Sequence, residues 1–262
     1  LFRSGQQFIE RHNRVVRFGG SMAPYGTQIP DLDSFNASAS VGTNGWDALA
    51  TYPVITGSSG YMTAIAPGIC KDPRTEKFYV FPTGSPCRVF TPATSSLGGT
   101  WATLGSTGPS NMDGFETASA FDTKRNRVGL THGAVPGVVR TDFVTMDATT
   151  GAYTVQTMSG AGLSGLNALR SCPGMVYVEA IDAYLVIGSA AGGAVYRIDA
   201  GTFAVTVLGA TGGSSIPAGF YIAGSGGADY ENVHNRWQYI PALGGVVYVP
   251  EHDQDAWFLR VH

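Results

Sequence analysis

Two phrases 113 residues apart, FIERHNRVVRFGG from Phe8 to Gly20 and FDTKRNRVGLTHG from Phe121 to Gly133, align without a gap. Phe8 falls on Phe121, Asn13 on Asn126, Arg14 on Arg127 and Val15 on Val128. Each phrase reads as a strand end, a tight polar turn and a short apolar strand. A repeat of this kind constrains the fold strongly, because a small supersecondary unit buries its apolar faces only by stacking on its neighbours. A second pairing has nearly the same period. APGICKDPRTEKFYVF from Ala66 to Phe81 and CPGMVYVEAIDAYLVI from Cys172 to Ile187 share Pro-Gly at an offset of 106 residues, about two repeat units. A fifth copy is YIPALGGVVYVP, Tyr239 to Pro250, with Gly244-Gly245 as its turn. The residues just before the five apolar strands are Arg14, Lys77, Arg127, Ala183 and Gly245, at steps of 63, 50, 56 and 62 residues.

Each unit continues in one order. A Gly/Pro-rich loop leads to a third strand: Arg88-Val89-Phe90, Phe143-Val144-Thr145-Met146, Val195-Tyr196-Arg197-Ile198 and Trp257-Phe258-Leu259-Arg260. A fourth strand follows at 46–49, 100–104, 153–156 and 203–207, after turns such as Asp147-Ala-Thr-Thr-Gly151 and Asp199-Ala-Gly201. Four short strands per unit, with recurring aromatic and glycine marks, predict an all-β fold, a β-propeller of four-stranded antiparallel blades. Five blades are expected in a single domain over 1–262, at about 1–57, 58–108, 109–162, 163–213 and 214–262, the last three-stranded. Such a ring closes on its short blade, or sequence upstream of Leu1 completes a larger one. Trp46, Trp101, Phe143 and Trp257 are expected to fill the spaces between blades. Helical spacing occurs only at 164–170, SGLNALR.

Composition agrees with a turn-dense β protein. Glycine makes up 36 of 262 residues, charged residues 13% and apolar residues 44%, too apolar for disorder. A net charge of −3 provides no electrostatic footprint for nucleic acid. The clusters Arg11-His-Asn-Arg14 and Lys124-Arg-Asn-Arg127 occupy equivalent turns and are expected to be solvated. No apolar run reaches the roughly 18 residues of a membrane span. The chain begins with Leu1, which reads as a processed product or an excerpt of a longer polypeptide. Low charge with much Gly, Ser and Thr points to an extracellular, cell-surface or virion setting. Cys70, Cys87 and Cys172 make an odd count. Cys70 and Cys87 belong near opposite ends of one intervening strand, too far apart to bridge, so buried free thiols are expected.

The phrases FDTKRNRVGLTHG and FIERHNRVVRFGG, each a polar turn, an apolar strand and a glycine-containing close, resemble the kelch and galactose-oxidase central-domain family of β-propellers. The resemblance implies architecture. The copper-radical oxidases of that family need a cross-linked Cys-Tyr pair, a second Tyr and two His ligands, and no corresponding set is identifiable here.

In a propeller the loops between strands two and three and between blades share one face. That face is expected to collect His132, Asp229, Tyr230, His234 and the loop Glu251-His252-Asp253-Gln254-Asp255, the densest ionisable group in a charge-poor chain. These are the candidate ligand-binding residues. Carboxylate oxygens could take Ca²⁺ at the Glu251–Asp255 loop, although no EF-hand pattern, zinc spacing or other cofactor motif is present. Asp122, Glu76, Asp182 and Asn126 belong to the opposite turns, where their side chains can accept from nearby backbone N–H groups. Trp237 and Tyr221, near the Gly-rich stretch 209–227, are freer than the other aromatics to lie at the surface, with a packing role as the alternative. The expected role is a non-enzymatic recognition or structural module binding a glycan or a protein subunit, with assembly into a homo-oligomer or larger structure possible. The alternative is a carbohydrate-active enzyme using two acids such as Glu251 and Asp253.

Overall fold

A computed structural model describes residues 5–18, 32–39, 68–81, 86–108, 117–132, 142–169, 173–188, 194–209, 221–223, 229–231, 233, 236–250 and 255–262. The fold is an all-β propeller, with five antiparallel blade sheets and almost no helix among the described residues. The chain divides into two compact units, Leu1–Phe115 with Thr149–Ala152, and Glu116–Ala148 with Tyr153–His262.

The first unit carries blades one and two. Blade one is β1 (Gly5–Ile9), β2 (Arg14–Phe18) and β3 (Leu32–Asn36), in that order across the sheet. Blade two is β4 (Gly68–Lys71), β5 (Phe78–Phe81), β6 (Pro86–Pro92) and β7 (Gly99–Thr107). Strand β1 neighbours β4. Ile9 and Val16 of blade one pack with Ile69, Phe78, Val80 and Phe90 of blade two in one buried cluster, against which Trp101 lies. The β3 strand was not expected, and the fourth strand foreseen at 46–49 lies outside the described residues, with Trp46.

The second unit carries the other three. Blade three is β8 (Thr117–Asp122), β9 (Arg127–His132), β10 (Asp142–Asp147) and β11 (Tyr153–Thr157). After the one-turn helix α1 (Leu163–Asn167) comes blade four: β12 (Gly174–Val178), β13 (Ala183–Ile187), β14 (Val195–Asp199) and β15 (Val205–Leu208). A separate hairpin, β16 (Tyr221–Ala223) with β17 (Asp229–Glu231), precedes blade five. Blade five is β18 (Trp237–Ile240), β19 (Gly245–Tyr248) and β20 (Trp257–Arg260), three-stranded among the described residues, as expected. Strand β12 has β8 on one side and β18 on the other, so the first strand of each blade is its inner one.

Large rings fill the space between blades three and four. Phe143 meets Tyr184 at 4.9 Å and Phe203 at 5.5 Å between centroids, and Tyr184 meets Tyr177 at 5.3 Å. Gly129 makes this possible, since a Cβ there would stand 2.6 Å from Tyr184 and 2.7 Å from Phe143. Phe203, foreseen as the start of a strand, instead sits in the turn before β15 with φ +59°. Trp257 lies against the blade four–five cluster.

One local device repeats in every blade. The residue directly before the second strand has positive φ in four blades, Asn13 (50°), Asn126 (49°), Asp182 (47°) and Gly244 (62°), and in blade two the positive-φ residue is Glu76 (58°), two positions before β5. Asn, Asp and Gly are the residues that enter this left-handed region most readily. In four blades the carbonyl of this residue accepts from the residue after the third strand: Ala37 (3.2 Å), Ala148 (3.1 Å), Ala200 (3.0 Å) and Val261 (3.0 Å). The turn thereby ties the exit of strand three to the hairpin of strands one and two. This is why the polar turn was the most legible element of the repeat.

The thiols follow expectation where described. Cys70 and Cys87 are buried and not bridged to each other, and burial pushes the Cys87 thiol up to about 12, which keeps it protonated and unreactive. Cys172 lies outside the described residues.

Candidate functional site

The densest described polar chemistry lies at the left-handed turns. In the second unit Asp122, at the end of β8, has no solvent exposure. One of its oxygens accepts from the Arg125 backbone N–H (3.1 Å). The other accepts from Arg125 Nη1 (3.2 Å), Arg127 Nε (3.0 Å) and the Tyr184 hydroxyl (3.3 Å). Arg127 also donates to the Ala200 carbonyl and lies over the Phe203 ring, 5.3 Å from its centroid. Arg125 grips Asp182 of the next blade through both terminal nitrogens, at 2.7 and 2.8 Å, and the Tyr177 hydroxyl donates to the same carboxylate at 2.8 Å.

The first unit repeats the theme with different residues. Glu76 accepts from the Glu10 backbone N–H at 2.6 Å, from the Arg11 N–H at 3.2 Å and from the Arg11 guanidinium. Lys71 bridges back to the Glu10 carboxylate at 2.6 and 2.7 Å and to the Phe8 carbonyl at 2.9 Å. Asp72 closes its own turn by accepting from the Arg74 N–H (3.0 Å) and the Thr75 hydroxyl (2.9 Å).

The turn clusters are therefore not simply solvated, as their sequence had implied. Arg11, Arg125 and Arg127 are bound to acids of their own or the neighbouring blade. Glu76 and Asp182 stand in turns as expected, but the Glu76 carboxylate accepts from Glu10 and Arg11 of blade one, and the Asp182 carboxylate from Arg125 of blade three and Tyr177 of its own blade. The available signal was the recurrence of an acid at Glu76 and Asp182, 106 residues apart, with basic residues in the turns of the preceding units.

The ionisation states suit a structural tie. Burial raises the Glu76 carboxyl, but hydrogen bonding with Glu10 and Arg11 outweighs it and holds the group at about 2. The Arg125 fork holds Asp182 well below the ordinary carboxylate range, against a smaller opposing effect of burial. Burial, helped by nearby carboxylates, drives the Tyr177 and Tyr184 phenols upward. These groups are thus fixed in one state around neutral pH, unlike an acid or base poised for proton transfer.

A pH dependence follows. Carboxyls whose folded value is lowered contribute stability that is complete above their unfolded value and is lost as pH falls through the folded one. The urea midpoint is expected to hold steady from about pH 7 to 5 and to fall from about pH 4 toward 2. Glu76→Gln should flatten part of that acid limb. An unchanged limb would mean that other carboxyls govern acid unfolding.

The sequence-predicted ligand residues are placed only in part. His132 ends β9, its backbone opposite Thr117, and Asp255 is exposed just before β20. Each stands at the end of its blade away from the left-handed turn. Asp229 and Tyr230 lie on β17, opposite Ala223 and Ile222. His234, Glu251, His252 and Asp253 lie outside the described residues, and with them most of the loop considered for Ca²⁺. Among the described residues no three His, Cys, Asp or Glu form a group that could hold a metal ion. No described helix is long and apolar enough to cross a membrane. Of the two alternatives for Trp237 the packing one holds: it is buried, its indole N–H donating to the Leu185 carbonyl at 3.2 Å.

No family model matches the chain, and no curated protein matches it. Among solved structures it is similar to an auxiliary nutrient binding protein from Bacteroides ovatus, at a TM-score of 0.53 and 12% identity over 98% of this chain and 54% of that one. It also matches a protein of unknown function from Bacteroides thetaiotaomicron, at a TM-score of 0.43 and 10% identity over 78% of this chain and 44% of that one. The likeness shows a fold only. The chain spans about half the length of these two proteins.

Proposed function

We propose that this chain is a non-enzymatic recognition or structural module of an extracellular, cell-surface or virion assembly, with a glycan or a protein subunit as its ligand. The observation that carries the reading is the use made of the turn-end acids, arginines and tyrosines. Asp122, Glu76 and Asp182 hold strands and neighbouring blades together, and fixed charges of this kind suit a scaffold. Recognition then belongs to the opposite blade ends, where His132 and Asp255 stand, with the β17 residues Asp229 and Tyr230 and the loop residues His234, Glu251, His252 and Asp253 as further candidates. The nutrient-binding role of the Bacteroides ovatus protein adds support for binding over catalysis. The resemblance of the two phrases to the kelch and galactose-oxidase central-domain family belongs to the same proposal, for architecture alone.

The test is a glycan array followed by titration calorimetry on the best ligand. His132→Ala and Asp255→Ala are each expected to weaken binding about tenfold, about 1.4 kcal/mol, with the melting temperature unchanged. Light scattering of the native protein distinguishes a monomeric receptor from an assembling subunit. A glycan that is turned over, with turnover abolished in Glu251→Ala or Asp253→Ala and the fold intact, would replace this reading with the enzymatic one.

A further inference from the structure

The sequence repeat has a period of two blades: its best alignments join blade one to three and blade two to four, at offsets of 113 and 106 residues. The left-handed turns follow the same alternation. The positive-φ residue is Asn13 in blade one and Asn126 in blade three, but Glu76 in blade two and Asp182 in blade four. The odd blades supply arginine from the same turn, Arg11 and Arg125, and the even blades supply the carboxylate that receives it. A second link accompanies each. Lys71 of blade two reaches Glu10 of blade one, and Thr123 of blade three donates to Glu179 of blade four. Glutamate is not a residue this backbone conformation favours. Its presence at position 76, φ 58°, is accounted for by the three hydrogen bonds its carboxylate accepts from Glu10 and Arg11. Blade five has Gly244 at the corresponding position and is joined to blade four through Trp237.

We propose that the blades are latched in pairs, one with two and three with four, and that each latch governs the opening of its own pair as a separate sub-global unit. The two latches use different residues and lie one in each compact unit. Loss of a carboxylate should therefore loosen the blades that share it without loosening the other pair. Cooperative segments of this kind are seen as amides that open together at a common free energy.

The experiment is native-state hydrogen exchange of the whole chain by mass spectrometry. In the unmodified protein, with sub-denaturing urea, amides of β1 and β4 are expected to merge into one opening reaction and those of β8 and β12 into another. Glu76→Gln should speed exchange in β1, β2, β4 and β5 about tenfold or more and leave β12 and β13 as they were. Asp182→Asn should do the reverse, and Arg125→Asp with Asp182→Arg should restore protection that either reversal alone removes. One opening reaction common to β1, β4, β8 and β12 in the unmodified protein would overturn the proposal, as would equal acceleration of both pairs by one variant. The unmodified-protein measurement decides the matter even if a variant does not fold.

Discussion

Asp122→Ala is expected to destabilise the protein by about 3–5 kcal/mol, the range for removing one partner of a buried ion pair. The side chain is fully buried and accepts four hydrogen bonds, three of them from two arginines. Its loss leaves the Arg127 guanidinium, whose side chain is only 17% exposed, without its carboxylate. The hydroxyl of the buried Tyr184 loses the acceptor it reaches across the blade interface. Arg125 fares better, since it keeps Asp182. Set against the 5–15 kcal/mol that holds a typical domain together, the loss should move the urea midpoint far down. Asp122→Asn keeps the shape but turns one acceptor into a donor facing arginine, so it should fall between the native protein and the alanine variant. Tyr184→Phe should lose only about 1 kcal/mol, the net worth of one hydrogen bond. An alanine variant within about 1 kcal/mol of the native protein would mean that water replaces the carboxylate without penalty.

The blade order was legible in the sequence because its strongest mark is local. Asn13 and Asn126 suit the left-handed corner, and apolar strands follow them directly, so turn chemistry and strand pattern report the same event. What joins one blade to the next was not legible. Arg11 and Glu76 lie 65 residues apart, and Arg125 and Asp182 57 apart. Only the stacking of the inner strands brings such residues together, so the basic turns looked like solvated charge. Strand β3, LDSFN, has polar residues within and Gly/Pro-rich sequence before it, which gives weak strand patterning. The predicted ligand residues are of another kind. Loops carry binding chemistry with little periodic pattern around it, so charge density alone nominated His132, His234 and the Glu251–Asp255 run. Of these, His132 and Asp255 can be placed, both at blade ends away from the latches.

Trp237 shows how the placement of one aromatic alters an expected effect. Placed on a Gly-rich surface connection, its removal would scarcely matter. As the first residue of β18 it is 2% exposed and packs in one cluster with Val176, Leu185, Val233 and Val246, its ring edge-on to Tyr248 at 6.2 Å. Trp237→Ala is therefore expected to cost about 3–5 kcal/mol, the usual range for truncating a large buried aromatic. Trp237→Phe keeps much of the apolar contact and gives up the bond from the indole N–H to the Leu185 carbonyl. It should lose less, about 1–2 kcal/mol. Because blade five has no left-handed carboxylate, this packing is its main described tie to blade four. Exchange in β18 and β19 should consequently accelerate more than exchange in β8 and β9. Calorimetric melting would measure the total loss and hydrogen exchange its location. If Trp237→Ala melts with the native protein, the indole does not hold blade five, and Val233, Val246 and Tyr248, which share its cluster with blade four, would have to do so.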